Sequence, residues 1–271
     1  MSIETQRIDT ERGAFRVASL GDPQAPAVVF SNSLGTILEM WQPQMAAFAQ
    51  QYRVVCYDTR GHGGSPVTSG PYTFEMLGQD VLAVMDALEI EQAAFCGISM
   101  GGHTGLWLAL HAAERFKAVA VCNSAAKIGT QQAWSERAQM LRAGGMQAME
   151  QLAETAPERW FTAEFIGRHE AVVKEMQAIL AGQPPLGYAA CCDALGSSDL
   201  RDQIASIRTP TLLLTGDADP VTTVADATAM HQAIEQSELA VIPASHLSNI
   251  EAPAEFNRVL KDFFDKQLNN G

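Results

Sequence analysis

The sequence predicts an α/β fold built on a mostly parallel central sheet with helices on both faces. Short apolar runs recur along the chain, as expected of strands buried on both sides, and stretches with helical apolar spacing separate them. One long helical segment interrupts the alternation and predicts an inserted helical cap.

Ile8, Phe15 and Val17, disposed around Arg12-Gly13, read as an opening hairpin. Buried strands are expected at 27–31, 53–57, 93–98, 118–122, 211–215 and 239–242. Phe74, Leu77, Val81, Met85 and Leu88 recur at helical spacing, and a second helix is expected from Gly102 to His111. From Ala126 to Ser206 no strand is expected, and helices are read at 134–143, 146–153, 160–165 and 171–180, the last ending before Gly182-Gln183-Pro184-Pro185. The expected organisation is a core over 1–125, a cap over 126–206 and a second core segment over 207–271. In such sheets ligands gather at the carboxyl ends of the strands.

With 47% hydrophobic and 18% charged residues, the 271-residue chain carries enough apolar surface for a large core. Its formal net charge of −13 argues against nucleic-acid or anionic-membrane partners, which are recognised through clustered Lys and Arg. An anionic ligand then needs a local cation inside its pocket. The amino terminus, Met1-Ser2-Ile3-Glu4-Thr5, has no basic stretch followed by an apolar run, and the chain is expected to be cytoplasmic. Its five cysteines form neither a disulfide framework nor a zinc spacing.

Gly97-Ile98-Ser99-Met100-Gly101-Gly102 follows the apolar run 93–96 and precedes the helical stretch 106–111. This is GxSxG in the context of a nucleophile elbow, where a sharp strand-to-helix turn exposes the serine and leaves no room for side chains beside it. The competing reading is a glycine-rich turn whose serine only caps the helix. A serine hydroxyl needs a base that works near neutral pH, which points to histidine. Of six histidines, His246 lies in a polar loop directly after the last expected strand, within reach of the sheet's carboxyl edge. His111 and His231 read as surface positions on helices, His169 falls in the cap, and His103 is given a packing or capping role. His62, in Arg60-Gly61-His62-Gly63, reads as a loop histidine held by local hydrogen bonds.

The third member is expected between nucleophile and base, after a strand. Gly216-Asp217-Ala218-Asp219 supplies two acids; Asp219 is chosen, and Asp217 is assigned to hydrogen-bonding the turn. Two backbone N–H donors are needed for a tetrahedral oxyanion. They are assigned to Met100, which follows the serine, and Leu34, in the loop after the first internal strand.

Asn32-Ser33-Leu34-Gly35, Trp41, Tyr57-Asp58-Thr59-Arg60-Gly61-His62-Gly63, the serine motif and Gly216-Asp217-Ala218-Asp219 together resemble the α/β-hydrolase superfamily over nearly the whole chain. More narrowly, Asn32-Ser33-Leu34-Gly35-Thr36 in place of a His-Gly start, and the cap run Gly187-Tyr188-Ala189-Ala190-Cys191-Cys192, resemble the 3-oxoadipate enol-lactonases. The resemblance implies a cofactor-free enzyme of aromatic-acid catabolism that opens a small anionic lactone. Two alternatives stay open: a perhydrolase or general carboxylesterase on the same scaffold, and a binding protein that keeps the fold without turnover. For the substrate carboxylate, Trp134 and Arg137 at the start of the cap offer an indole and a guanidinium on one helical face, with Lys127 and Arg159 next in order. The bland alternative pairs Arg137 with a cap glutamate and leaves Trp134 simply as core.

Overall fold

The computed structural model describes residues 3–268. Met1 and Ser2, where the amino-terminal reading begins, lie outside the described residues. Among the described residues, eight strands form one sheet in the order β1-β2-β4-β3-β5-β6-β7-β8. The hairpin of β1 (Gln6–Thr10) and β2 (Gly13–Leu20) joins β4 (Arg53–Tyr57) antiparallel. From β4 onward, through β3 (Ala27–Ser31), β5 (Ala93–Ile98), β6 (Phe116–Cys122), β7 (Thr211–Gly216) and β8 (Ser237–Ile242), every pairing is parallel. Every residue of β3, β5 and β7 is buried, which explains why these strands read as continuous apolar runs.

Register shows how the two faces are covered. Val29 pairs with Phe95 and Phe30 with Cys96, so Phe30 and Phe95 point to opposite faces. On one face, Phe30 meets Phe48 of α1 (Gln42–Phe48), and Phe48 meets Phe264 of α11 (Pro253–Leu268). On the other, Phe95 lies against Gly105 of α3 (Met100–His111), which packs in turn on α2 (Phe74–Ala87) through Trp107 and Gly78. Of the remaining core helices, α9 (Val224–Ala233) joins β7 to β8 and the single turn α10 (Ser248–Glu251) lies between β8 and α11.

Between β6 and β7 the chain forms α4 (Gln131–Thr155), α5 (Pro157–Trp160), α6 (Ala163–Arg168), α7 (Glu170–Ala181) and α8 (Pro185–Ser197). The two helices expected at 134–143 and 146–153 are one run kinked at Gly145, whose φ of +55° suits glycine. The helix expected at 160–165 is instead two short turns that break at Phe161. α8 was not among the expected helices. Pro184-Pro185 reads as a stop, whereas Pro185 occupies the first turn, where a missing N–H costs nothing. α8 is also buried over Gly187–Cys192 and so lacks an amphipathic period. Its end of the cap docks on the core where Gln183 Oε1 accepts the Gly63 N–H at 2.9 Å and the Ala190 carbonyl accepts the Tyr72 N–H at 3.2 Å. Among the described residues no helix is long and apolar enough to cross a membrane.

Candidate active site

The segments following β3, β5, β6, β7 and β8 converge at the carboxyl edge of the sheet and carry Leu34, Ser99, Asn123, Asp219 and His246 in turn. Ser99 sits at the break between β5 and α3 with φ 58° and ψ −115°, a conformation side-chain-bearing residues rarely hold. The turn is tight on both sides. A Cβ on Gly97 would lie 2.1 Å from the Gly101 carbonyl oxygen, and one on Gly101 would lie 2.3 Å from that of Ser31. Ser99 makes no capping hydrogen bond to α3, which removes the reading of a serine that merely caps. Its backbone is fixed instead: its N–H donates to the Cys122 carbonyl at 2.9 Å and its carbonyl accepts from Ser124 Oγ at 2.7 Å.

Asp219 and His246 meet as expected. Asp219 Oδ2 accepts from His246 Nδ1 at 2.8 Å, and both side chains are buried. The carboxylate is well supplied with other donors: Thr222 Oγ1 and Asn123 Nδ2 reach Oδ2, each at 2.9 Å, and the Val221 N–H reaches Oδ1 at 2.8 Å. Burial works against its charge, but the hydrogen bond and charge of His246, followed by the other donors, hold its pKa below the ordinary aspartate value. A carboxylate in this position keeps the proton on Nδ1 and leaves Nε2 as the basic nitrogen. Asp217, by contrast, is exposed, and among the described residues its side chain bonds nothing; the expectation that it hydrogen-bonds the turn is corrected.

In the loop after β3 the amides flanking Leu34 on its carboxyl side are taken up within the protein, and among the described residues that of Leu34 is not. Gly35 N–H donates to His62 Nε2 at 2.9 Å and Thr36 N–H to the Ser33 carbonyl at 3.2 Å, while the Leu34 N–H has no protein acceptor among the described residues. Met100, the first residue of α3, likewise has an amide with no intrahelical partner. His62 is therefore tied to the loop 27 positions away rather than held only locally. Burial lowers its pKa to about 4, which keeps Nε2 an acceptor at neutral pH. His103 packs as expected, with its ring 4.2 Å from Phe74 and Nδ1 against the Ala125 carbonyl.

Ser33, Leu34, Ser99 and His246 line a cavity of about 210 Å³ whose opposite wall comes from the cap. Trp134, Arg137, Arg159, Trp160, Leu180 and Tyr188 form that wall. Arg137 lies 4.9 Å over the Trp134 ring and forms no ion pair among the described residues, so no cap glutamate takes it. The Trp134 indole N–H is already spent on the Ile128 carbonyl at 2.6 Å, so Trp134 offers the cavity a surface and not a donor. Among the described residues the Arg159 guanidinium hydrogen-bonds only to uncharged oxygens of Thr155, each at 3.2 Å. Burial, then the neighbouring Arg137 charge, lowers its pKa from the ordinary arginine value. Lys127 lies outside the cavity, against the Ser198 carbonyl and Asp199. No sequence pattern marks Tyr188, Trp160 or Leu180 as site residues, although Tyr188 lies in the run 187–192 that carries the enol-lactonase resemblance.

A profile described as the alpha/beta hydrolase fold matches residues 26–253, and the chain belongs to that family. Within it, the chain is 50% identical over 248 residues to 3-oxoadipate enol-lactonase 2 of Acinetobacter baylyi, covering 92% of each protein. It is 49% identical to 3-oxoadipate enol-lactonase 1 of the same organism, covering 90% of each. The crystal structure of the enol-lactonase from Burkholderia xenovorans LB400 superposes with a TM-score of 0.92 at 40% identity, covering 96% of this chain and 99% of that one.

Proposed function

We infer that this chain is a serine hydrolase that opens 3-oxoadipate enol-lactone to 3-oxoadipate in the β-ketoadipate pathway, in a cytoplasmic setting. The observation that carries the reading is a cavity joining Ser99 and His246 to two guanidiniums, Arg137 and Arg159, that form no ion pair with a carboxylate among the described residues. The enol-lactone keeps one free carboxylate after ring closure, so it needs this combination. Identity near 50% to two enol-lactonases supports the same substrate.

In this reading Ser99 Oγ attacks the lactone carbonyl carbon and passes its proton to His246 Nε2. The Leu34 and Met100 amides receive the oxyanion. Collapse breaks the bond to the ring oxygen, His246 returns the proton to it, and the enol so formed tautomerises to the ketone. Water then attacks the acyl-enzyme with His246 as base, releasing the new carboxylate and free Ser99. Asp219 orients His246 and stabilises the imidazolium in both halves. Arg137 and Arg159 hold the substrate carboxylate, and Trp134 walls the pocket.

Turnover of a panel of anionic lactones and neutral aryl esters tests the substrate. A clear preference for 3-oxoadipate enol-lactone is expected; a preference for the neutral esters would replace this reading with a general carboxylesterase.

A further inference from the structure

The strip of chain that carries His246 is held on both sides by groups outside the triad. Before it, the Ser245 N–H donates to Glu251 Oε2 at 2.7 Å. After it, the Leu247 N–H donates to the Trp160 carbonyl at 3.0 Å. Trp160 ends α5 in the cap and lines the cavity. Glu251 reaches the same part of the cap, because its Oε1 accepts both the Thr162 N–H, at 3.1 Å, and the Thr162 hydroxyl. One carboxylate therefore accepts from the cap with one oxygen and from the residue next to His246 with the other. Ser245 and Leu247 are both buried, so an amide that loses its acceptor there has no water to replace it.

We propose that Glu251 is a positioning residue for His246: it staples the cap segment 160–162 to the base loop, so that the seating of the cap sets the reach of the imidazole toward Ser99. This rests on His246 being the general base. Glu251 does not line the cavity and touches no substrate itself. A ligand that fills the cavity presses on Trp160, whose carbonyl holds Leu247, and Glu251 transmits the same displacement to Ser245. The cap thereby acts on the chemical step as well as on substrate choice.

The test uses the full chain with Glu251→Ala, Glu251→Gln and His246→Ala. Each is reacted with a small neutral fluorophosphonate, and kcat and KM are measured on the enol-lactone and on a small neutral ester. In the labelling step the Ser99 oxygen bonds to phosphorus, fluoride leaves and the hydroxyl proton passes to His246, so the rate reports the base without the anion site. Glu251→Ala is expected to slow labelling about tenfold or more and to lower kcat by the same factor on both substrates, with KM changed less than about threefold. Glu251→Gln keeps one acceptor oxygen and is expected to recover part of the loss. A carboxylate that only braces the fold lowers Tm and leaves labelling and kcat of the folded protein unchanged; that result, or a change confined to KM, overturns the proposal. If Glu251→Ala does not fold, the Gln variant decides alone: a matched fall in labelling and kcat supports the staple, and wild-type values for both refute it. His246→Ala separates the two levels. Wild-type labelling by it would remove His246 as base and the staple with it, whereas slow labelling by it beside normal labelling by the Glu251 variants would remove the staple alone.

Discussion

His62 accepts the Gly35 N–H through Nε2 at 2.9 Å while its ring is wholly buried. A protonated ring could not accept this bond, and burial lowers the His62 pKa to about 4, below the unfolded value of 6.5. His103, equally buried, is lowered to about 4 for the same reason. As pH falls, the unfolded chain takes up these protons first. The stability they contribute is therefore complete above about pH 6.5 and is lost as pH falls toward about 4, by roughly 3 kcal/mol per histidine at the limit. Urea unfolding of the wild type should show a steep fall across that window, and His62→Gln should flatten it. A wild-type curve that stays level down to about pH 5 would contradict the burial of neutral rings.

Asp219 and Asp217 stand two residues apart in one turn with different surroundings. Asp219→Asn replaces the acceptor of His246 Nδ1 with an amide that presents a donor to a cluster of donors. Turnover is expected to fall about a thousand- to ten-thousandfold with the fold intact. Asp217→Asn, at an exposed side chain, should change neither turnover nor stability by more than about 0.5 kcal/mol. Steady-state kinetics on both variants, with far-UV circular dichroism as the folding control, makes the comparison; equal losses would contradict the choice of acid.

The parts of this arrangement legible in the sequence are those written into short local patterns. The elbow around Ser99 needs glycines wherever backbone crowds it, and His246 and Asp219 follow apolar runs directly, so chain order and strand ends located all three. The residues that support them have no local signature. Asn123 meets Asp219 across 96 positions, and Glu251 meets Thr162 across 89, through folding alone. α8 has no sequence signature because a helix buried on nearly every side loses its 3.6-residue period, and its opening prolines read as a break. Trp134 lines the cavity, and its N–H turns away to Ile128, a direction that no sequence pattern carries.

Arg137 and Arg159 should act on charge, and so on one class of substrate. A charge-assisted contact contributes about 1.5–3 kcal/mol. Arg137→Ala and Arg159→Ala are each expected to lower kcat/KM for the anionic lactone about ten- to a hundredfold and to leave a small neutral ester nearly unchanged. Lys127→Ala, outside the cavity, should match the wild type on both. Equal losses on the two substrates for the arginine variants would mean that they shape the cavity and do not bind the carboxylate.

The most direct measurement is the rate at which purified wild-type and Ser99→Ala proteins hydrolyse 3-oxoadipate enol-lactone, followed by the loss of its ultraviolet absorbance. The wild type is expected to turn the lactone over at an enzymatic rate, and the variant, equally folded, to fall by about a thousandfold or more. Near-wild-type turnover by Ser99→Ala would contradict the acyl-enzyme mechanism on this serine, and no lactone turnover by the wild type would contradict the function itself.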